Sequence, residues 1–141
     1  MRRALAFASI AILIPLVAAV APPTASSRLG VYSAEQAEQG AQIYAGNCAM
    51  CHGAQLEGTV EVPALTGKFV ANWGGRPLGD LYDYLGRAMP QSAPGSLQPQ
   101  DNAKLIAFLL KANGAPSSSK VLPADTAALH RITFDPARVG L

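Results

Sequence analysis

Charge is scarce in this chain. Charged residues make up 14% of the 141, aromatic residues make up 6%, and there is a single tryptophan. No run of like charge, internal repeat or glycine-rich phosphate loop occurs. Eleven Lys and Arg stand against nine Asp and Glu, but Arg2 and Arg3 fall at the extreme N-terminus, so from Ser26 onward nine face nine. A neutral chain lacks the electrostatic footprint of a nucleic-acid binder. Its length suits one domain and hardly two. What the sequence does hold in quantity is turn formers, eleven prolines and thirteen glycines. A chain of this size buries only a modest core unaided.

Cysteine is scarcest of all, and the two present are placed together, in Cys48-Ala49-Met50-Cys51-His52. Two thiols three apart, with a histidine after the second, read as a c-type haem attachment site. Each thiol on one short turn can add across one haem vinyl group, and His52 then offers an imidazole nitrogen to the iron. Three other readings compete. A disulfide over so short a loop staples little, because stabilisation grows with loop length. A redox Cys-x-x-Cys belongs in a βαβ context, which is missing here. Zinc usually takes four ligands, and beyond this motif only the distant His130 remains. Haem c, one copy through Cys48 and Cys51, is the favoured reading.

The N-terminus has the layout of a secretory signal: Met1-Arg2-Arg3, an apolar run over 4–21, then Pro22-Pro23 and small residues. Residues 1–25 are assigned to it, with cleavage expected after Ala25 or Ser27. The apolar run approaches the length of a membrane span, so an uncleaved anchor is the alternative. Export fits the cysteines, since haem attachment requires exported, reduced thiols; in a bacterium the compartment is the periplasm.

Three longer helices are expected. Ser33-Ala34-Glu35-Gln36 reads as a capping box, with Ser33 capping and Gln36 reaching back, opening a helix to about Ala45. Ala37, Gly40, Ala41 and Tyr44 share its inner face. A second helix opens at Pro77 and stops at Met89-Pro90. Leu78, Leu81, Tyr82, Leu85 and Ala88 face inward, and Asp80, Asp83 and Arg87 face solvent. A third opens at Pro99, carries an apolar stripe at Leu105, Phe108, Leu109 and Ala112, and stops at Gly114. Residues 53–68 read as loop, 69–75 as irregular, and 115–141 as a tail with a Ser-rich linker and a short helix near 127–132.

The iron's second ligand decides function. Methionine is the natural partner, because its thioether favours reduced iron. Met1 leaves with the signal, and Met50 lies inside the attachment turn. Met89 is therefore the candidate; its bland alternative is a core gap-filler. His130 reads as a solvated surface residue.

Cys48-x-x-Cys51-His52 with the later Met89-Pro90 resembles a class I c-type cytochrome. Gly40 and Tyr44 match that family's N-terminal helix, Leu105 and Phe108 its C-terminal helix, and Pro63 and Leu65 its proline loop. The likeness covers 33–114. The stretch Trp73-Gly74-Gly75-Arg76-Pro77-Leu78-Gly79-Asp80-Leu81-Tyr82, with Met89-Pro90 and Pro94-Gly95-Ser96-Leu97, is similar to cytochromes that accompany quinoprotein dehydrogenases. The resemblance implies an all-α cytochrome c fold, three to four helices and long loops around one covalent haem. It implies His52 and Met89 as axial ligands, and the Pro63 carbonyl as acceptor for the histidine's other N–H. Trp73 and Arg76, both donors, are candidates for hydrogen bonds to the haem propionates. The function it implies is periplasmic single-electron transfer without enzymatic chemistry. A quinoprotein dehydrogenase is the expected donor, and an oxidase or another cytochrome the acceptor. A cytochrome subunit of a dehydrogenase complex and an open-site haem protein binding a small ligand are the alternatives.

Overall fold

A computed structural model describes residues 25–135, so the expected signal segment, all but its last residue Ala25, and the end of the tail lie outside the described residues. The elements in order are β1 (Ala25–Ser26), a 3-10 turn (Ser27–Leu29), α1 (Ala34–Asn47), α2 (Ala49–His52), α3 (Lys68–Trp73), α4 (Leu78–Ala88), α5 (Pro99–Ala112), α6 (Thr126–Leu129) and β2 (Ile132–Thr133). The fold is mostly helical.

The α1–α5 crossing is the centre of the core. Ser33 caps α1, its hydroxyl accepting from the Gln36 N–H at 3.1 Å. Gly40 lets the two helices meet: a Cβ there would lie 2.0 Å from the Lys104 carbonyl oxygen and 2.9 Å from the Phe108 Cβ. One turn further on, the Tyr44 and Phe108 rings pack with centroids 5.2 Å apart. From α5, Ala103, Leu105, Ile106, Ala107, Leu109 and Leu110 are buried. Pro99 opens α5 at its first turn. Gly114, with φ 82°, ends it, and the Ala115 N–H reaches the Leu110 carbonyl at 2.9 Å.

Several elements differ from the sequence reading. Residues 68–73 form the short helix α3, where irregular chain was expected. Its Phe69 is buried and packs between Trp73 and Phe134, with centroids 6.2 and 5.9 Å away. The two aromatic contacts of Phe69 supply what the local pattern lacked. Gln36 does not close a capping box. Its amide donates to the Leu122 carbonyl and accepts from the Leu122 N–H, both at 2.9 Å, because a carboxamide complements both groups of a peptide. Ala112 is exposed, as the α5 stripe rotates away from the core at its last turn.

The stretch after Gly114 is folded onto the helices. Leu122, Leu129 and Phe134 are buried at 1%, 0% and 2% exposure. β2 pairs in parallel with β1, Ala25 opposite Ile132. Phe134 donates to the Arg76 carbonyl and accepts from the Gly75 N–H, both at 2.8 Å. The Ser27 hydroxyl, fully buried, donates to the Asp135 carbonyl at 2.9 Å and accepts from the Asp135 N–H at 2.8 Å. Ser27, one of the two expected cleavage positions, is thus held inside the fold. His130 is not a free surface side chain. Its ring lies over Gly79, with Nδ1 3.5 Å from Asp80 and Nε2 3.6 Å from Asp83. Asp80 and Asp83 accordingly face α6, and Thr126 donates to Asp83 at 2.9 Å. A sequence period on α4 shows its apolar face and not which polar residues a later segment will cover.

Candidate haem-binding site

Cys48 is the C-cap of α1 and the N-cap of α2. The Cys51 and His52 N–H groups both donate to the Cys48 carbonyl, at 3.1 and 2.9 Å. That one carbonyl winds the motif into a single turn, so two thiols and an imidazole leave one short helix. Both thiols are free, Cys48 half-buried and Cys51 exposed. Burial pushes the Cys48 thiol up, and Cys51 beside it adds to the shift.

His52 is buried, and its Nδ1 donates to the Pro63 carbonyl oxygen at 2.9 Å. The bond fixes the tautomer and leaves Nε2 with its lone pair, the form an imidazole needs to bind a metal. The loop that delivers Pro63 is tied at both ends. The Gly58 N–H donates to the His52 carbonyl at 2.8 Å, and the Leu65 N–H to the Leu56 carbonyl at 2.9 Å. Gly58 has φ 65°, and a Cβ there would lie 2.4 Å from the Val62 carbonyl. Asn113, at the end of α5, donates to the Leu65 carbonyl at 3.0 Å.

Tyr44 supports the attachment turn from below. Its hydroxyl donates to the Gly53 carbonyl at 2.5 Å, tying the residue after His52 to α1. Burial, with Cys48 and Glu57 nearby, pushes the phenol up to about 12. The sequence reading placed Tyr44 on the inner face without this role. Its signal was an aromatic one helical turn before Cys48.

Met89 stands on a separate element as the C-cap of α4, half-buried, its N–H donating to the Leu85 carbonyl at 3.1 Å. Its thioether sulfur is a neutral, soft donor. Trp73 and Arg76 are brought together: the Arg76 guanidinium lies 4.6 Å from the Trp73 ring centroid. Arg76 also bonds Asp80 through Nε at 3.1 Å and Nη2 at 2.9 Å. The Trp73 indole packs on Phe69 and Tyr84.

The donor set fits a covalent haem. Two unpaired thiols precede an imidazole whose Nδ1 is already committed to a carbonyl, and among the described residues no group of three or more His, Cys, Asp or Glu could hold a metal ion instead.

This helical arrangement around a Cys-x-x-Cys-His turn is that of a mono-haem class I c-type cytochrome. A family described as cytochrome c oxidase, cbb3-type, subunit III matches residues 35–109. The chain belongs to that family of cytochrome c domains and is a haem protein of electron transfer. Among solved structures it is similar to the crystal structure of the sulfane dehydrogenase SoxCD from Paracoccus pantotrophus, at 29% identity and a TM-score of 0.54. The match covers 70% of this chain and 52% of that one, so this protein spans about half of the matching chain. No curated protein matches.

Proposed function

We propose that this protein is a periplasmic carrier of single electrons, with one haem c attached through Cys48 and Cys51 and held axially by His52 and Met89. The observation that carries the reading is the Nδ1 bond from His52 to Pro63, which leaves the Nε2 lone pair free to bind a metal. When bound, the haem supplies an iron that takes up and gives back one electron. The chain's own residues do the rest. Cys48 and Cys51 fix the porphyrin, and Pro63 holds the histidine's orientation and basicity. Met89 would supply the second ligand to the iron, which would keep other ligands away and favour the reduced state. Trp73 and Arg76, which lie against each other, would donate to the propionates. No residue set for bond chemistry is invoked. Residues 1–25 direct export, or residues 4–21 anchor the domain. Among the described residues no helix is long and apolar enough to cross a membrane.

The donor we favour is a dehydrogenase, quinoprotein by the sequence resemblance, and the acceptor an oxidase or another cytochrome. The similarity to a sulfane dehydrogenase favours a second reading, a cytochrome subunit held permanently in a dehydrogenase complex. Purification from the native membrane or periplasm separates the two, since a subunit copurifies with its dehydrogenase and a carrier does not.

The test of the ligand set is the visible spectrum with a redox titration of the holoprotein. The expected result is low-spin iron with the weak red-end band of methionine ligation. Met89→Ala should lower the potential and admit carbon monoxide. A potential unchanged by that substitution excludes Met89 as a ligand.

A further inference from the structure

The twenty charged residues are not spread evenly along the chain. No Asp, Glu, Lys or Arg occurs between Glu38 and Glu57, or between Arg87 and Asp101. The first gap contains the attachment turn and the second contains Met89 and the loop after it. Both stretches are at the surface. Gln42, Ala45, Gly46, Asn47, Met50, Cys51 and Ala54 are exposed, and so is every residue of 91–96. Met50 projects furthest, at 92% exposure. Three of the four charges that border the gaps are engaged close by in the chain, Asp101 with Lys104 at 3.2 Å. Glu57 accepts from the Gln55 N–H at 2.8 Å and would contact a Cβ on Gly53, and Arg87 lies over the Tyr84 ring at 5.8 Å.

If His52 and Met89 bind one iron, these two stretches frame one haem, and the inference rests on that reading. We propose that they form a charge-free docking face for a redox protein whose own electron-exit rim is uncharged. Charge complementarity selects this partner. A partner that brought charged side chains here would bury them against a surface with nothing to pair them, and their lost hydration would oppose binding. A partner with an uncharged rim meets no such penalty and gains from covering Met50. Association then proceeds without electrostatic steering, at the roughly 10⁵–10⁶ M⁻¹s⁻¹ typical of neutral encounters. The haem that Cys48, Cys51 and His52 would hold would supply one electron, and the partner's oxidised centre would be reduced by it; no bond is made and no proton moves.

Two measurements on the holoprotein test this. The first adds redox-inert paramagnetic ions, hexacyanochromate as the anion and hexaamminechromium as the cation, to the ferrous protein. It follows broadening of the Met50, Ala54 and Ala93 methyl resonances at low salt. Both ions should broaden them alike; a preference for one ion beyond about threefold overturns the proposal. The second uses another copy of the protein as redox partner and measures electron self-exchange, in which one copy is oxidised as the other is reduced. The rate should change less than about threefold as salt rises from about 10 to 500 mM. Met50→Lys should slow it about tenfold at low salt, with recovery at high salt. Val121→Lys adds the same charge on the tail, at the other end of α1, and should leave the rate flat. A Met50→Lys rate equal to that of the unmodified protein, or an equal effect of Val121→Lys, overturns the proposal. Failure of the ligand reading is seen separately, as loss of the methionine band in the unmodified protein.

Discussion

At the scale of residues, the attachment turn is held from two sides by single hydrogen bonds to carbonyls. Pro63 takes the Nδ1–H of His52, and Gly53 takes the hydroxyl of Tyr44. The Tyr44 bond has a pH signature. In the unfolded chain the phenol ionises near its ordinary value of 10.0, and in the folded protein at about 12. A raised folded value means that Tyr44 contributes its full stability below pH 10. It loses that contribution as pH rises through 12, because the unfolded state releases its proton first. Tyr44→Phe should cost about 1 kcal/mol at neutral pH, the net worth of one hydrogen bond. It should also flatten the decline above pH 10, which urea midpoints at neutral and alkaline pH will show. The Cys-x-x-Cys-His pattern was legible because its chemistry is local. The Tyr44 bond was not, since a sequence shows that a buried tyrosine needs an acceptor without showing which carbonyl provides it.

At the scale of elements, the α1–α5 crossing depends on one missing side chain. Two glycines of α1 make the point by contrast. At Gly40 a Cβ would meet the backbone carbonyl of Lys104 at 2.0 Å, and backbone cannot rotate away. At Gly46 a Cβ would meet nothing within 4 Å. Gly40→Ala should therefore destabilise by about 3 kcal/mol or more, through overpacking that pushes the helices apart. Gly46→Ala should stabilise by roughly 0.5–1 kcal/mol, because alanine is the better helix former. Denaturant midpoints of the two holoprotein variants, shifting in opposite directions, check both. The boundaries of α1, α4 and α5 were readable to within a residue or two, because Ser33, Pro77, Pro99 and Gly114 act on their own backbones. Helix α3 was not readable. Its reason to exist is the contact of Phe69 with Phe134, sixty-odd residues away, and no local period carries that.

At the scale of the molecule, the chain closes on itself. The segment from 115 to 135 crosses the start of α1 at Gln36, covers α4 through Leu129 and His130, and ends against the α3–α4 corner at Gly75 and Arg76. The side chains that anchor it were individually visible as apolar residues in a proline-rich tail. Their partners were not, since Leu122 is held by a glutamine amide and β2 by a two-residue strand at the other end of the chain. This arrangement separates local from global stability. Phe134 contributes an aromatic ring to the core and two backbone bonds to the corner that carries Trp73 and Arg76. Phe134→Ala should cost about 3–5 kcal/mol if the whole molecule unfolds as one unit. The alternative is that the last strand detaches first, leaving the α1–α5 core intact. Because the Gly75 N–H is donated to the Phe134 carbonyl, amide exchange distinguishes the two. In Phe134→Ala the Gly75 and Phe134 amides should exchange much faster, by two orders of magnitude or about 3 kcal/mol. The amides of Ala103 to Leu110 in the middle of α5 should change little. Equal acceleration at both places would instead mean that the tail and the helical core unfold together, and that the closing strand is as much a part of the cooperative unit as the crossing at Gly40.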